Sequence, residues 1–168
     1  ARGDVGTDLL HNLFSQLLLP QALNVTLLAS IALLATNLSE SHGLDLWPTE
    51  LPMVVQLILA MVVSQFGEYW VHRLLHTNPL LWRLHATHHS PSRLYWLNAG
   101  RFHPIDLTLL YVVAAAPLIL LGAPSEMILL YSIWAGVHGL FQHCNIRLRI
   151  GPLNYVFSMC ELHRWPHS

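Results

Sequence analysis

Histidine dominates the chemistry available to this chain. Ten of its twelve histidines lie between His72 and His167; all but His103 fall in four runs: His72-x3-His76, His85-x2-His88-His89, His138-x4-His143 and His163-x3-His167. On a helix, residues three and four apart share a face. His72 and His76 therefore point one way, and His85, His88 and His89 form a second set. Converging neutral imidazoles leave lone pairs to satisfy, and a transition metal satisfies them directly. Imidazole suits zinc, copper, iron and nickel. Eight or more such ligands exceed what one ion uses, so the spacing predicts more than one metal ion.

The metal-ligand candidates are His72, His76, His85, His88, His89, His138, His143, His163 and His167. A histidine that is not a ligand can instead support one by hydrogen bonding. His138 and His143 are five residues apart, about 140° around a regular α-helix. Both reach one site only if a π-type distortion lies between them. Supporting candidates are Glu68 (one helical turn before His72), His103, Asp106 and Glu161. A carboxylate that accepts the outer N–H of a ligand imidazole raises its basicity. His11 and His42 read as ordinary polar residues.

The elements that must hold these ligands are apolar. The chain is 54% hydrophobic and 10% charged and contains no lysine; soluble domains carry roughly 25% charged residues. Four stretches predict membrane helices: 21–38, 51–67, 107–125 and 127–146. A full span needs about 20 residues, so tilted or shallow hairpins are expected. Four buried helices of a soluble bundle are the alternative, but few charges remain to solvate an outer surface. Residues 9–19 differ. Leu9, Leu10, Leu13, Phe14 and Leu17 share one side and His11, Asn12, Ser15 and Gln16 the other, with Pro20 ending the run. That pattern predicts an amphipathic helix in the membrane interface. The whole chain, 1–168, reads as one all-α membrane domain. It lacks an initial Met and stops inside a histidine run, as expected of a piece of a longer protein.

Charge gives an orientation. The 39–50 loop and the 122–126 turn hold Glu40, Asp45, Glu50 and Glu126 and no basic residue. All eight arginines fall before the first span, between the second and third, or after the fourth. Cytoplasmic loops carry the Arg/Lys excess, so the histidine runs are predicted on the cytoplasmic face of a multi-pass protein. Cys144 and Cys160 form no CxxC pair and are expected as reduced thiols. The net charge of −1 argues against nucleic acid as a partner. A haem protein would place single histidines on facing helices. A zinc hydrolase would carry HExxH, which is absent.

The segments WVHRLLHTNPLLWRLHATHHSPSRLYWLNAGRFHPID and GLFQHCNIRLRIGPLNYVFSMCELHRWPHS resemble the fatty acid hydroxylase / sterol desaturase superfamily over about residues 50–168. The resemblance rests on HxxxH and HxxHH, the Arg101–Pro104 segment, His143 two residues before Asn145, and the terminal His-Arg-Trp box. It implies a bundle of about four transmembrane helices with a cytoplasmic histidine-rich cap and two iron ions. Zinc is able to replace iron on purification. The implied activity is an O2-dependent hydroxylation or desaturation of a membrane lipid, with fatty acyl, sterol, ether-lipid and carotenoid substrates all open. No haem-attachment or iron–sulfur motif is present, so an external donor (reductase, cytochrome or ferredoxin type) is implied. The pattern departs at its last box: the family shows His-x-x-His-His, whereas this chain has His163-Arg164-Trp165-Pro166-His167. One imidazole fewer opens the alternative of a non-catalytic or metal-depleted member.

Overall fold

The structure, a computed structural model, describes residues 2–42 and 46–163. Every regular element among them is helical. Helix α1 (Arg2–His11) runs through a π-helical turn (Asn12–Leu18) into α2 (Leu19–His42). Then follow α3 (Met53–Thr77), α4 (Pro79–His85), α5 (Pro104–Leu120), α6 (Ser125–Gln142) and the short α7 (Cys160–His163). Short 3-10 turns cover Trp96–Gly100 and Gly151–Tyr155.

Helices α2, α3, α5 and α6 run alternately up and down. Trp47, Ala60, Leu118, Met127 and Tyr131 meet in the core near one end of this bundle. That end carries Glu40, Glu50 and Glu126; the histidines from His72 to His163 lie toward the other. Small residues bring α3 and α5 close. Ser64 is buried and donates its hydroxyl hydrogen to the Ala114 carbonyl at 2.8 Å. A Cβ on Gly67 would sit 2.9 Å from Val113 Cγ1, so that position admits little beyond glycine. Close approach through small residues and a side-chain hydrogen bond is how helices associate where lipid surrounds them. The outer face of α3 fits such a solvent: Val54, Ile58, Val62 and Phe66 are exposed at four-residue intervals.

Among the described residues one helix, Met53–Thr77, is long and apolar enough to cross a membrane; Pro104–Leu120 is a shorter apolar helix. At 1.5 Å per residue, α3 is about 37 Å long. It continues well past the 51–67 stretch and carries His72 and His76 at its far end. Helix α5 stops at Leu120, short of residue 125. Gly122 takes φ +81° there, and the Ala123 N–H bonds to the Leu118 carbonyl at 2.9 Å, a left-handed helix stop that glycine favours.

Two expectations need correction. Pro20 does not end the first helical run: α2 passes through it to His42. Proline lacks a donor and disfavours a helix interior, yet here the helix continues through it, directly after the π-helical turn Asn12–Leu18. In addition, α6 is a regular α-helix from Ser125 to Gln142, with no π distortion between His138 and His143.

Candidate metal centre

The Asn78–Pro79 corner brings the first two histidine runs together. Asn78 ends α3 by donating its N–H to the Leu74 carbonyl. Its side-chain oxygen then accepts from the Leu80 and Leu81 N–H groups at 2.9 and 3.2 Å and starts α4. Pro79 fits the first helical position because no donor is needed there. The seven-residue α4 thus folds back alongside the end of α3 and sets His85 against His72 and His76, with ring centroids 4.7 and 4.9 Å away.

The HxxHH run does not act as one helical face. Helix α4 stops at His85, and residues 86–89 form a turn held by the His88 N–H on the His85 carbonyl at 2.9 Å. The turn divides the set. His85 and His89 join His72 and His76; His88 joins His143 and His163. Within each group the possible ligand atoms all lie within 4.8 Å of one another. The Nε2 atoms face each other at 3.1 Å (His72 and His76), 3.2 Å (His85 and His89) and 3.0 Å (His143 and His163).

The outer nitrogens explain why the inner ones carry lone pairs. His85 Nδ1 lies 2.8 Å from Asp106 Oδ2, with both side chains fully buried. His88 Nδ1 lies 3.3 Å from the Arg101 carbonyl, and His143 Nδ1 lies 3.0 Å from Asn98 Oδ1. Carboxylate and carbonyl oxygens only accept, so each Nδ1 carries the proton. The Asn98 amide is oriented independently: its oxygen accepts from the Tyr95 N–H and its nitrogen donates to the Arg93 carbonyl. In the neutral rings, Nε2 is then an unprotonated donor atom aimed into the group. Burial, followed by the neighbouring His143 and His72 imidazoles, pushes His163 down to about 3, so it too is neutral at physiological pH. Imidazole nitrogens turned toward one another at 3.0–3.2 Å form a donor set that a cation would satisfy. The donor set therefore fits a pair of transition-metal ions.

The other candidates stand elsewhere. His138 belongs to neither group: its ring stacks on Trp134 at 4.9 Å, and its buried Nε2 has no hydrogen-bond partner. His103 caps α5, its Nδ1 accepting from the Ile105 N–H at 3.2 Å. Asp106 supports His85, as above. The Glu68 carboxylate is taken up by Gln65 and by Tyr131 across to α6. Glu161 accepts from Asn154 at 2.9 Å. His167 and Pro166 lie outside the described residues. Sequence reasoning missed Asn98 and the Arg101 carbonyl as the partners of His143 and His88. Nothing in local spacing marks them, because each acts across a tertiary contact. Both cysteines are free thiols.

Two neighbouring imidazole groups, each able to hold a metal ion, stand at one end of an apolar helical bundle. The chain belongs to the fatty acid hydroxylase family, whose profile matches residues 57–168. It is 38% identical to the ornithine lipid hydroxylase OlsE of Rhizobium tropici over 168 residues, covering 99% of this chain and 50% of the relative. It is 30% identical to sphinganine C4-monooxygenase 2 of Arabidopsis thaliana over 61% of this chain and 40% of the relative. With the alkylglycerol monooxygenase of Homo sapiens it shares 29% identity over 65% of this chain and 24% of the relative. The chain spans about half or less of the length of these relatives. No solved structure matches it.

Proposed function

We propose that this chain is the metal-holding part of an oxygen-dependent membrane-lipid hydroxylase that works with two iron ions. The observation that carries this reading is the pair of imidazole groups with their Nε2 atoms turned inward. His72, His76, His85 and His89 would hold one ion; His88, His143 and His163 would hold the other. When bound, the iron pair supplies activation of dioxygen against an unactivated C–H bond. The protein's own part is to keep the imidazoles neutral and fixed, through Asp106, Asn98 and the Arg101 carbonyl, and to present the site where a lipid chain can reach it. The tight grouping of the imidazoles also disfavours a haem site, which would use single histidines on facing helices.

The relatives' names support hydroxylation over desaturation. The 38% identity across the chain makes an ornithine lipid, an acylated amino acid, the first substrate to test. We place α2, α3, α5 and α6 in the membrane with the histidine end cytoplasmic. The support is the arginine content of that end against the acidic residues of the other. Helix α5, about 26 Å at 1.5 Å per residue, enters the bilayer without matching its roughly 30 Å core. The apolar residues of the 9–19 segment face outward, as an interfacial helix requires: Leu9, Leu10, Leu13, Phe14 and Leu17 are all exposed. Electrons come from a separate donor protein.

The test uses the full-length protein in membranes, loaded with iron and supplied with a reductase system and 18O2. The expected result is one 18O atom in the ornithine lipid, lost in His85→Ala and His143→Ala. Iron-loaded protein that labels no lipid class would overturn the reading.

A further inference from the structure

The N-terminal segment lies before the residues that match the family, 57–168, yet it is bonded to the scaffold of one imidazole group. Asp8 is fully buried, and its Oδ1 accepts from Arg101 Nε at 2.5 Å. Its other oxygen accepts from the Tyr95 hydroxyl. Arg101 also reaches the Ser90 hydroxyl at 3.1 Å and the Asp4 carbonyl at 3.4 Å. In the π turn, the Asn12 amide donates to the Leu97 carbonyl at 2.9 Å. It packs so closely on Gly100 that a Cβ there would run into it. His11 Nδ1 lies 3.2 Å from the Phe102 carbonyl. Residues 97–102 are thus gripped from outside by Asp8, His11 and Asn12.

The inner side of the same loop holds metal-ligand candidates. The Arg101 carbonyl fixes His88 Nδ1, the Phe102 ring stacks on His88 at 4.1 Å and 20°, and Asn98 fixes His143. The other group has its own support in Asp106 on α5. The two groups therefore rest on different scaffolds.

We propose that Asp8 and Asn12 are positioning residues for the metal ion of the His88, His143 and His163 group, acting through the 97–102 loop and not on the His72 group. The inference rests on the two-metal reading above. Asp8 anchors the guanidinium of the residue whose carbonyl sets the His88 tautomer. Asn12 anchors the neighbour of the residue that sets His143. Loss of either loosens the loop and lets both rings turn. Removing a partner that orients a ligand histidine costs typically about 10–100-fold in metal affinity.

The test titrates Co(II) into metal-free, full-length protein and follows the visible absorption and the metal-to-protein ratio. Wild type is expected to bind two ions. Asp8→Asn should weaken one of them about 10–100-fold and leave the other unchanged. In a His88→Ala background, where only the His72 group is intact, Asp8→Asn should have no effect. In a His72→Ala background it should weaken the remaining ion. Asp8→Glu, which retains the carboxylate, should recover part of the loss. Asn12→Ala leaves no buried charge unpaired and repeats the selective effect if Asp8→Asn fails to fold. Equal weakening of both ions, or no weakening in either Asp8→Asn or Asn12→Ala, would overturn the proposal while the two-metal reading stands. Wild-type protein that binds no metal would overturn both.

Discussion

Asp106→Ala isolates the support of the other imidazole group. The Asp106 carboxylate and the His85 ring are both completely buried, and a single 2.8 Å hydrogen bond joins them. The second carboxylate oxygen has no hydrogen-bond partner, so the whole side chain is committed to His85. Truncation leaves a buried Nδ1–H without an acceptor and frees the ring to rotate. Both changes act against an Nε2 lone pair fixed on the metal. Removing such a partner costs typically about 10–100-fold in affinity, or about 1.4–2.8 kcal/mol at 1.4 kcal/mol per tenfold. Asp106→Asn keeps a carbonyl acceptor but removes the charge, so the loss should lie near the lower end, about tenfold. The assay is competition of Fe(II) or Co(II) between the full-length protein and a chelator. One ion per chain should weaken, and the effect should vanish in a His72→Ala/His85→Ala background. Unchanged affinity in Asp106→Ala, or a loss confined to the His88 group, would refute the assignment of Asp106 to His85.

Other outcomes follow from the same geometry. His138→Phe keeps the stack on Trp134 and removes a buried nitrogen that has no hydrogen-bond partner; metal content should stay at the wild-type value, whereas His143→Ala should lower it, and equal losses would contradict the placement of His138 outside the groups. Ser64→Leu forces a large side chain into the α3–α5 contact at Ala114, and overpacking of this kind costs about 1–3 kcal/mol, so the thermal midpoint in detergent should fall; an unchanged midpoint would show that the contact is loose. A cysteine introduced at Glu40 should react only with reagent applied from the non-cytoplasmic side and one at Arg93 only from the cytoplasmic side, and the reverse pattern would invert the orientation.

Much of the site was legible in the order of the residues. Helical spacing put His72 and His76 on one face, and the count of histidines led to the expectation of more than one ion; both inferences need only the 3.6-residue period and the ligand capacity of a metal. Composition pointed to apolar, membrane-type segments, because charge content is a bulk property that no folding alters, and the family resemblance implied that they are helices. Pro20 misled because proline only disfavours a helix interior, and tertiary context overrides such a local preference. The HxxHH set misled for a related reason: spacing specifies a shared face only while the helix lasts, and α4 ends at its first histidine. Which imidazoles group together is fixed by the Asn78–Pro79 corner and the 86–89 turn. Which nitrogen of His85, His143 and His88 faces inward is fixed by Asp106, Asn98 and the Arg101 carbonyl, and for the last two that support reaches back to Asp8 and Asn12. These links join residues up to 93 positions apart. A hydrogen bond is decided by distance in space, and only the packed helices bring such positions within 3 Å or so of one another.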